Sequence, residues 1–280
     1  MKYLLSFLLL FSLGITSVLA QEEILYKEID STQLFLEVYY PDSFDISKNH
    51  PAMLFFFGGG WINGDRKHFL QQAKYFAKRG LVCFLADYRI ENKHNTTPFE
   101  SLKDAKSAIR FLRANATKFN IDPDKIIASG GSSGGHLAAA TALIDGYNES
   151  SDDRSISSVP NALVLFNPVI DNGPGGYGNE RIGMAYKDFS PLHNIKKETP
   201  PMILFLGTED KLIPVETAQY FKVAMENIGN RCDLMLYEGE GHGFFNHRHF
   251  EFYKNTVLET DKFLQSLGYL KKEPFVNIEF

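Results

Sequence analysis

KIIASGGSSGGHL, residues 125–137, joins a short β-branched apolar run to a helix-forming one through a stretch of glycine and serine. Lys125-Ile126-Ile127-Ala128 has the character of a buried parallel strand, and His136 to Leu143 is strongly helical. A serine set between close-packed glycines at such a junction occupies strained backbone with its Oγ exposed, and the glycines let strand and helix approach one another. This is the pattern of a nucleophile elbow. The motif G-x-S-x-G fits in two registers, with Ser132 between Gly130 and Gly134 or Ser133 between Gly131 and Gly135, and the residues alone leave both open.

Outward from the elbow the hydrophobic period changes repeatedly. An alternating segment over 24–40 predicts a half-buried edge hairpin. Strands are expected over 51–57, 81–87, 125–129, 162–166, 202–206 and 233–237, and helices over 67–79, 100–117, 136–144, 214–228 and 250–267. Strands rich in Val, Ile, Leu and Phe with amphipathic helices between them imply a mostly parallel central sheet with helices on both faces. The irregular stretch 171–199 carries Gly173, Gly175, Gly176 and Gly178 between two strands. It is expected to form a small cap, a substrate rim over the carboxyl edge of the sheet.

At 280 residues the chain suits one large α/β domain, expected over 21–280. Residues 1–20 place Lys2 before an apolar stretch that ends in Val18-Leu19-Ala20, which reads as a secretory signal cleaved after Ala20. The expected location is therefore secreted or periplasmic, with no stable membrane association after signal cleavage. Loss of Lys2, the one charge in that segment, takes the formal charge of −5 to −6. No basic stripe appears, so nucleic acid is not an expected partner. Cys83 and Cys232 fall in different strand-like runs and are expected to be buried thiols rather than a disulfide. The sequons at Asn95, Asn115 and Asn148 matter only in a eukaryotic secretory pathway.

A serine at its ordinary pKa is a poor nucleophile, so an elbow needs a general base and a third group to orient that base. Where such an elbow carries the nucleophile, these are expected to follow in the chain order serine, acid, histidine. Downstream of the elbow, the strand over 202–206 runs into Gly207-Thr208-Glu209-Asp210-Lys211-Leu212-Ile213-Pro214, with Asp210 in the turn and Glu209 as competitor. The strand over 233–237 runs into Glu238-Gly239-Glu240-Gly241-His242-Gly243-Phe244, which sets His242 between two glycines. His50, His68 and His94 precede the serine, His136 opens the next helix, and His193 follows no strand. His247 and His249 crowd His242, but no carboxylate or cysteine cluster accompanies them, so no metal and no cofactor is expected.

The stretch GGSSGGHLA resembles the elbow of the small α/β-hydrolase-fold esterases related to hormone-sensitive lipase and the bacterial carbohydrate acetylesterases, G-x-S-[AS]-G-G-[HN]-L-A. Two further motifs, G-x-x-D-x-x-[VI]-P over 207–214 and G-H-G-F over 241–244, stand in the family's order, and the resemblance runs over roughly residues 30 to 268. It implies Ser132 as nucleophile, Asp210 as acid and His242 as base, with the Ser133 N–H facing the oxyanion. The triple glycine in Phe55-Phe56-Phe57-Gly58-Gly59-Gly60-Trp61 is similar to the family's H-G-G-G-W loop, which implies Gly59 and Gly60 as further oxyanion donors, with Gly58 as a competitor for the second place. Phe57 departs from the family's histidine, which puts the geometry of that loop in question. Ala86-Asp87-Tyr88-Arg89, Ile121-Asp122-Pro123 and Ser190-Pro191 also match family positions, with structural roles expected.

The reading that follows is a serine carboxylic ester hydrolase acting on a small-molecule or oligosaccharide ester, with acetyl groups on a carbohydrate favoured, as in acetyl xylan esterases. Trp61 and Tyr177 are candidates to line the leaving-group side. The competing readings are a serine peptidase of the prolyl-oligopeptidase type, which usually carries an extra domain, and a non-catalytic carbohydrate-binding module on the same fold.

Overall fold

The computed structural model describes residues 22–273 and 276–278; the expected export signal lies outside them. Its strands are β1 (Glu22–Ile29), β2 (Thr32–Tyr39), β3 (His50–Phe56), β4 (Val82–Ala86), β5 (Ile121–Gly131), β6 (Ala162–Phe166), β7 (Met202–Gly207) and β8 (Cys232–Tyr237). They form one eight-stranded sheet in the order β1-β2-β4-β3-β5-β6-β7-β8. The β1–β2 hairpin joins β4 antiparallel, and every pairing from β4 to β8 is parallel.

Each parallel strand reads as a continuous apolar run because its two faces feed two cores. From β3, Ala52, Leu54 and Phe56 point to one and Met53 and Phe55 to the other; β7 divides in the same way into Met202, Leu204 and Leu206 against Ile203 and Phe205. The longer helices are α1 (Leu70–Lys78), α2 (Pro98–Ala114), α3 (Ser133–Leu143), α4 (Val215–Asn227) and α5 (Phe250–Ser266). Helices α2, α3 and α4 cover the first core and α1 and α5 the second.

Local chemistry shifts several boundaries from the periodic reading. Helix α2 starts two residues early because Pro98 presets the helical φ and Thr97 with Glu100 closes a capping box. Its last turn is separated from a short helical turn at Ala116–Phe119, so the expected single helix to residue 117 is divided. The strand that carries the elbow runs on to Gly131, and α3 begins at Ser133 rather than His136.

Cys83 on β4 and Cys232 on β8 are both free and buried. Four strands intervene, so at ~4.8 Å per strand they stand about 24 Å apart, far beyond disulfide reach. Arg89 follows β4 and pairs with Asp104 of α2 at 2.8 Å and with Glu149 at 3.0 Å. Tyr88 donates its hydroxyl to the Phe57 carbonyl at 2.7 Å. The 171–199 segment folds into short helical turns between β6 and β7, anchored where Ser190 Oγ donates to the Ile170 carbonyl at 3.0 Å.

Candidate active site

The backbone of Ser132 has φ 54° and ψ −119°, a conformation that a residue with a side chain holds only when the surroundings force it. The forcing contacts are the strand-to-helix crossing itself. A Cβ on Gly130 would lie 2.3 Å from the Gly134 carbonyl oxygen, and one on Gly134 would lie 2.1 Å from that of Phe56. Gly130 and Gly134 flank Ser132; a Cβ on Gly131 or Gly135 would also be crowded, 2.6 Å from Phe245 Cζ and 2.9 Å from Pro168 Cα, so it is the torsion at 132 that selects the register. Ser133 instead occupies the first helical position with its side chain fully buried.

Ser132 Oγ lies 3.0 Å from His242 Nε2, and His242 Nδ1 lies 2.8 Å from Asp210 Oδ2. Asp210 hangs from the end of β7 and His242 from the loop after β8, so three strands separated in sequence deliver one line of contacts at their carboxyl ends. The side chain of Asp210 is 0% exposed, and its Oδ1 accepts the backbone N–H groups of Leu212 and Ile213 at 2.9 and 3.0 Å. An ionised carboxylate can only accept, so it holds the proton of His242 on Nδ1 and leaves the Nε2 lone pair toward the serine. Glu209, the competing acid, is exposed.

Two residues around this line are not among the candidates read from the sequence. Asn167, at the end of β6 with φ 33° and a fully buried side chain, accepts the Gly243 N–H on Oδ1 at 2.9 Å. That bond fixes its amide orientation and places Nδ2 3.4 Å from His242 Nε2. Arg181 donates to the Gly60 carbonyl and stacks 5.3 Å from the Trp61 ring. An Asn-Pro pair just past a strand was a visible mark for the first; the second lies in the irregular segment and had none.

On the other side of Ser132 the glycine loop closes in. A Cβ on Gly58 would stand 3.4 Å from Ser132 Cβ. Gly58 is not free to donate into the cleft, because its N–H is given to His68 Nδ1 at 3.1 Å. Among the described residues the N–H groups of Gly59 and Gly60 meet no protein acceptor. The N–H of Ser133 opens a helix and so has no intrahelical partner. Gly59, Gly60 and Ser133 thus keep donors that no acceptor among the described residues claims, and Ser132 is not among them because its own N–H bonds the Phe166 carbonyl at 2.9 Å.

Phe57, the departure from the family loop, is buried and stacks on Tyr88 with ring centres 4.0 Å apart. Trp61 does not line the cleft as expected. It is 1% exposed, with its ring hemmed in by His136 at 5.1 Å, Phe189 at 6.3 Å and Arg181, so no face is left for a sugar to stack on. Its φ is 61°, and its ring belongs to the first core. Tyr177 is half-buried, and a Cβ on Gly60 would stand 2.6 Å from its hydroxyl, which places it at the rim of the glycine loop. His247 and His249 join no cluster: among the described residues no three His, Cys, Asp or Glu side chains are grouped to hold a metal ion.

Comparison with known proteins agrees with this architecture. Residues 36–173 match the BD-FAE family and residues 175–271 the dienelactone hydrolase family. Esterase 2 of the planctomycete Thermogutta terrifontis, in a structure phosphoramylated by tabun, is 42% identical with a TM-score of 0.87, over 90% of this chain and 97% of that one. The chain belongs to the α/β-hydrolase-fold esterases. The same relative with propionate bound superposes with a TM-score of 0.86 at 41% identity, covering 91% of this chain and 97% of that one. An acetylxylan esterase of Xylanibacter ruminicola is 29% identical over 233 residues, 77% of this family member and 45% of that protein. The chain spans about half the length of the curated relatives it matches. Among the described residues of this esterase-family chain, no helix is long and apolar enough to cross a membrane.

Proposed function

We propose that this chain is a serine carboxylic ester hydrolase whose natural substrates carry short acyl groups, acetyl above all, on a carbohydrate. The observation that carries the reading is the unbroken line from Ser132 Oγ through His242 to the buried Asp210. As Ser132 Oγ attacks the ester carbonyl, its proton passes to His242 Nε2, and the imidazolium is stabilised by Asp210 across Nδ1–H. The carbonyl oxygen gains the negative charge and is received by the N–H groups of Gly59, Gly60 and Ser133, whose fixed dipoles need no rearrangement as the charge develops. Collapse of the tetrahedral intermediate breaks the bond to the alcohol, which leaves with the proton from Nε2. Water enters, gives its proton to Nε2, and the same cycle frees the acid and restores Ser132.

The propionate-bound relative supports a short acyl chain, and the tabun adduct of the same relative supports a nucleophilic site. The acetylxylan esterase relative and the inferred export of the chain to a secreted or periplasmic location support a polysaccharide substrate. The test is hydrolysis of p-nitrophenyl acetate, butyrate and octanoate, together with acetate release from acetylated xylan, by the wild type and Ser132→Ala. The variant is expected to lose at least about 10⁴-fold in kcat with a steep preference for acetate in the wild type. Undiminished activity in Ser132→Ala refutes the nucleophile, and a preference for octanoate refutes the substrate class.

A further inference from the structure

The glycine loop and the His242 loop both reach Ser132 and belong to segments far apart in the chain, yet a single line of hydrogen bonds joins them. Gly58 N–H donates to His68 Nδ1 at 3.1 Å, and His68 Nε2 lies 2.6 Å from Asn246 Oδ1. Asn246 Nδ2 donates to the Gly243 carbonyl at 2.6 Å, and the Gly243 N–H donates to Asn167 Oδ1 at 2.9 Å. Every donor in this series meets an acceptor in only one arrangement. The backbone N–H of Gly58 requires a bare nitrogen at Nδ1, so the His68 proton sits on Nε2. That proton requires the oxygen of Asn246, which turns the amide nitrogen toward Gly243.

We propose that His68 and Asn246 form a positioning relay that locks the oxyanion-side loop to the loop bearing the general base, so that donors and base keep one spacing about Ser132. The relay does not touch substrate; it rests on the esterase reading above and acts through Gly58 and Gly243. Its central member must stay neutral, since a second proton on His68 would face the Gly58 N–H. Burial, with the charge of Arg248 and the neighbouring His242, holds the His68 pKa below the ordinary histidine value and serves that requirement. The ring is fixed in place by Phe69 at 4.8 Å and Phe245 at 5.6 Å between ring centres. Because neighbouring N–H donors are worth most when pre-aimed at the developing charge, release of the loop should weaken the transition state rather than substrate binding.

The experiment compares His68→Phe, Asn246→Leu and the double variant on p-nitrophenyl acetate, with thermal unfolding as the control for folding. His68→Phe keeps an aromatic ring in the site and removes both hydrogen bonds. It is expected to lower kcat by about 30- to 100-fold with KM changed by less than about threefold. Asn246→Leu is expected to lower kcat in the same direction, and the double variant to lose no more than the worse single variant, because one chain broken twice is broken once. His68→Asn, whose amide oxygen takes the place of Nδ1, is expected to recover most of the Gly58 contact and at least about tenfold of the lost kcat. Additive losses, a change confined to KM, or a fully active His68→Phe would overturn the relay. The serine reading fails separately: an active Ser132→Ala beside an impaired His68→Phe removes the nucleophile assignment and leaves the relay standing.

Discussion

Replacing Asp210 with asparagine changes one atom and should silence the site. The carboxylate now accepts three hydrogen bonds, two from backbone N–H groups on Oδ1 and one from His242 on Oδ2. The amide oxygen of the variant can keep the two backbone bonds, which leaves the NH2 group facing His242 Nδ1. Two donors cannot share that contact, so the imidazole must move its proton to Nε2, and the lone pair that should receive the Ser132 proton is gone. In serine hydrolases the wrong tautomer costs about 10⁴ in kcat, or roughly 5 kcal/mol at 1.36 kcal/mol per tenfold. Because the amide fits the same space and keeps two of three bonds, the unfolding midpoint should move by only a few degrees. The assay is initial-rate hydrolysis of p-nitrophenyl acetate beside thermal unfolding of the same samples. Glu209→Gln serves as the companion, since that exposed carboxylate should be dispensable. An Asp210→Asn variant that keeps more than about a tenth of the wild-type rate, or a Glu209→Gln variant that loses most of it, refutes the argument from tautomers.

A Cβ on Gly134 would lie 2.1 Å from the Phe56 carbonyl oxygen and 2.3 Å from that of Phe57, both backbone atoms that cannot swing away. Gly134→Ala should therefore cost at least about 3 kcal/mol in denaturant unfolding, and a change under 1 kcal/mol would show that the crossing is looser than described. His136 is fully buried, and burial pushes its pKa down to about 4. The unfolded chain takes up a proton near pH 6.5 while the folded one refuses it, so this group's stabilisation is whole above pH 6.5 and is lost as pH falls toward about 4. At ~1.36 kcal/mol per unit the loss is about 3 kcal/mol. His136→Gln, which keeps a donor for the Phe189 carbonyl now bonded at 3.0 Å, should flatten that slope. Equal slopes for the two proteins in urea unfolding between pH 6.5 and 4 would count against it.

The parts of the molecule legible in the sequence are those decided by near neighbours. The apolar runs name the strands because both faces of a parallel sheet are buried, and the elbow shows itself because only glycine tolerates the crossing at 130 and 134. Between Ser132 and Ser133 the residues are silent, since both registers satisfy the motif; the backbone torsion at 132 and the contact of Ser132 Oγ with His242 Nε2 separate them. Trp61 misled for a related reason. An aromatic beside a cleft loop invites stacking on substrate, but the ring of Trp61 is buried against His136 and Phe189, which lie on other elements. His68 carries no local mark of a role, since it precedes the serine in the chain. Its partner Asn246 lies 178 residues further on, a contact that no local pattern announces.

The seam between Arg181 and the Gly60 carbonyl bears on how such a scaffold can be re-engineered. The stretch between β6 and β7 is the natural place to graft a new specificity, since the serine, acid and histidine hang from β5, β7 and the end of β8. Yet that stretch also holds one side of the glycine loop. A transplanted cap that omits the Tyr177-to-Arg181 turn would bring a new selectivity and remove a support from the loop at the same time. Libraries built on this chain should keep residues 177–181 constant and vary the remainder, so that a gain in selectivity is not masked by a loss of rate.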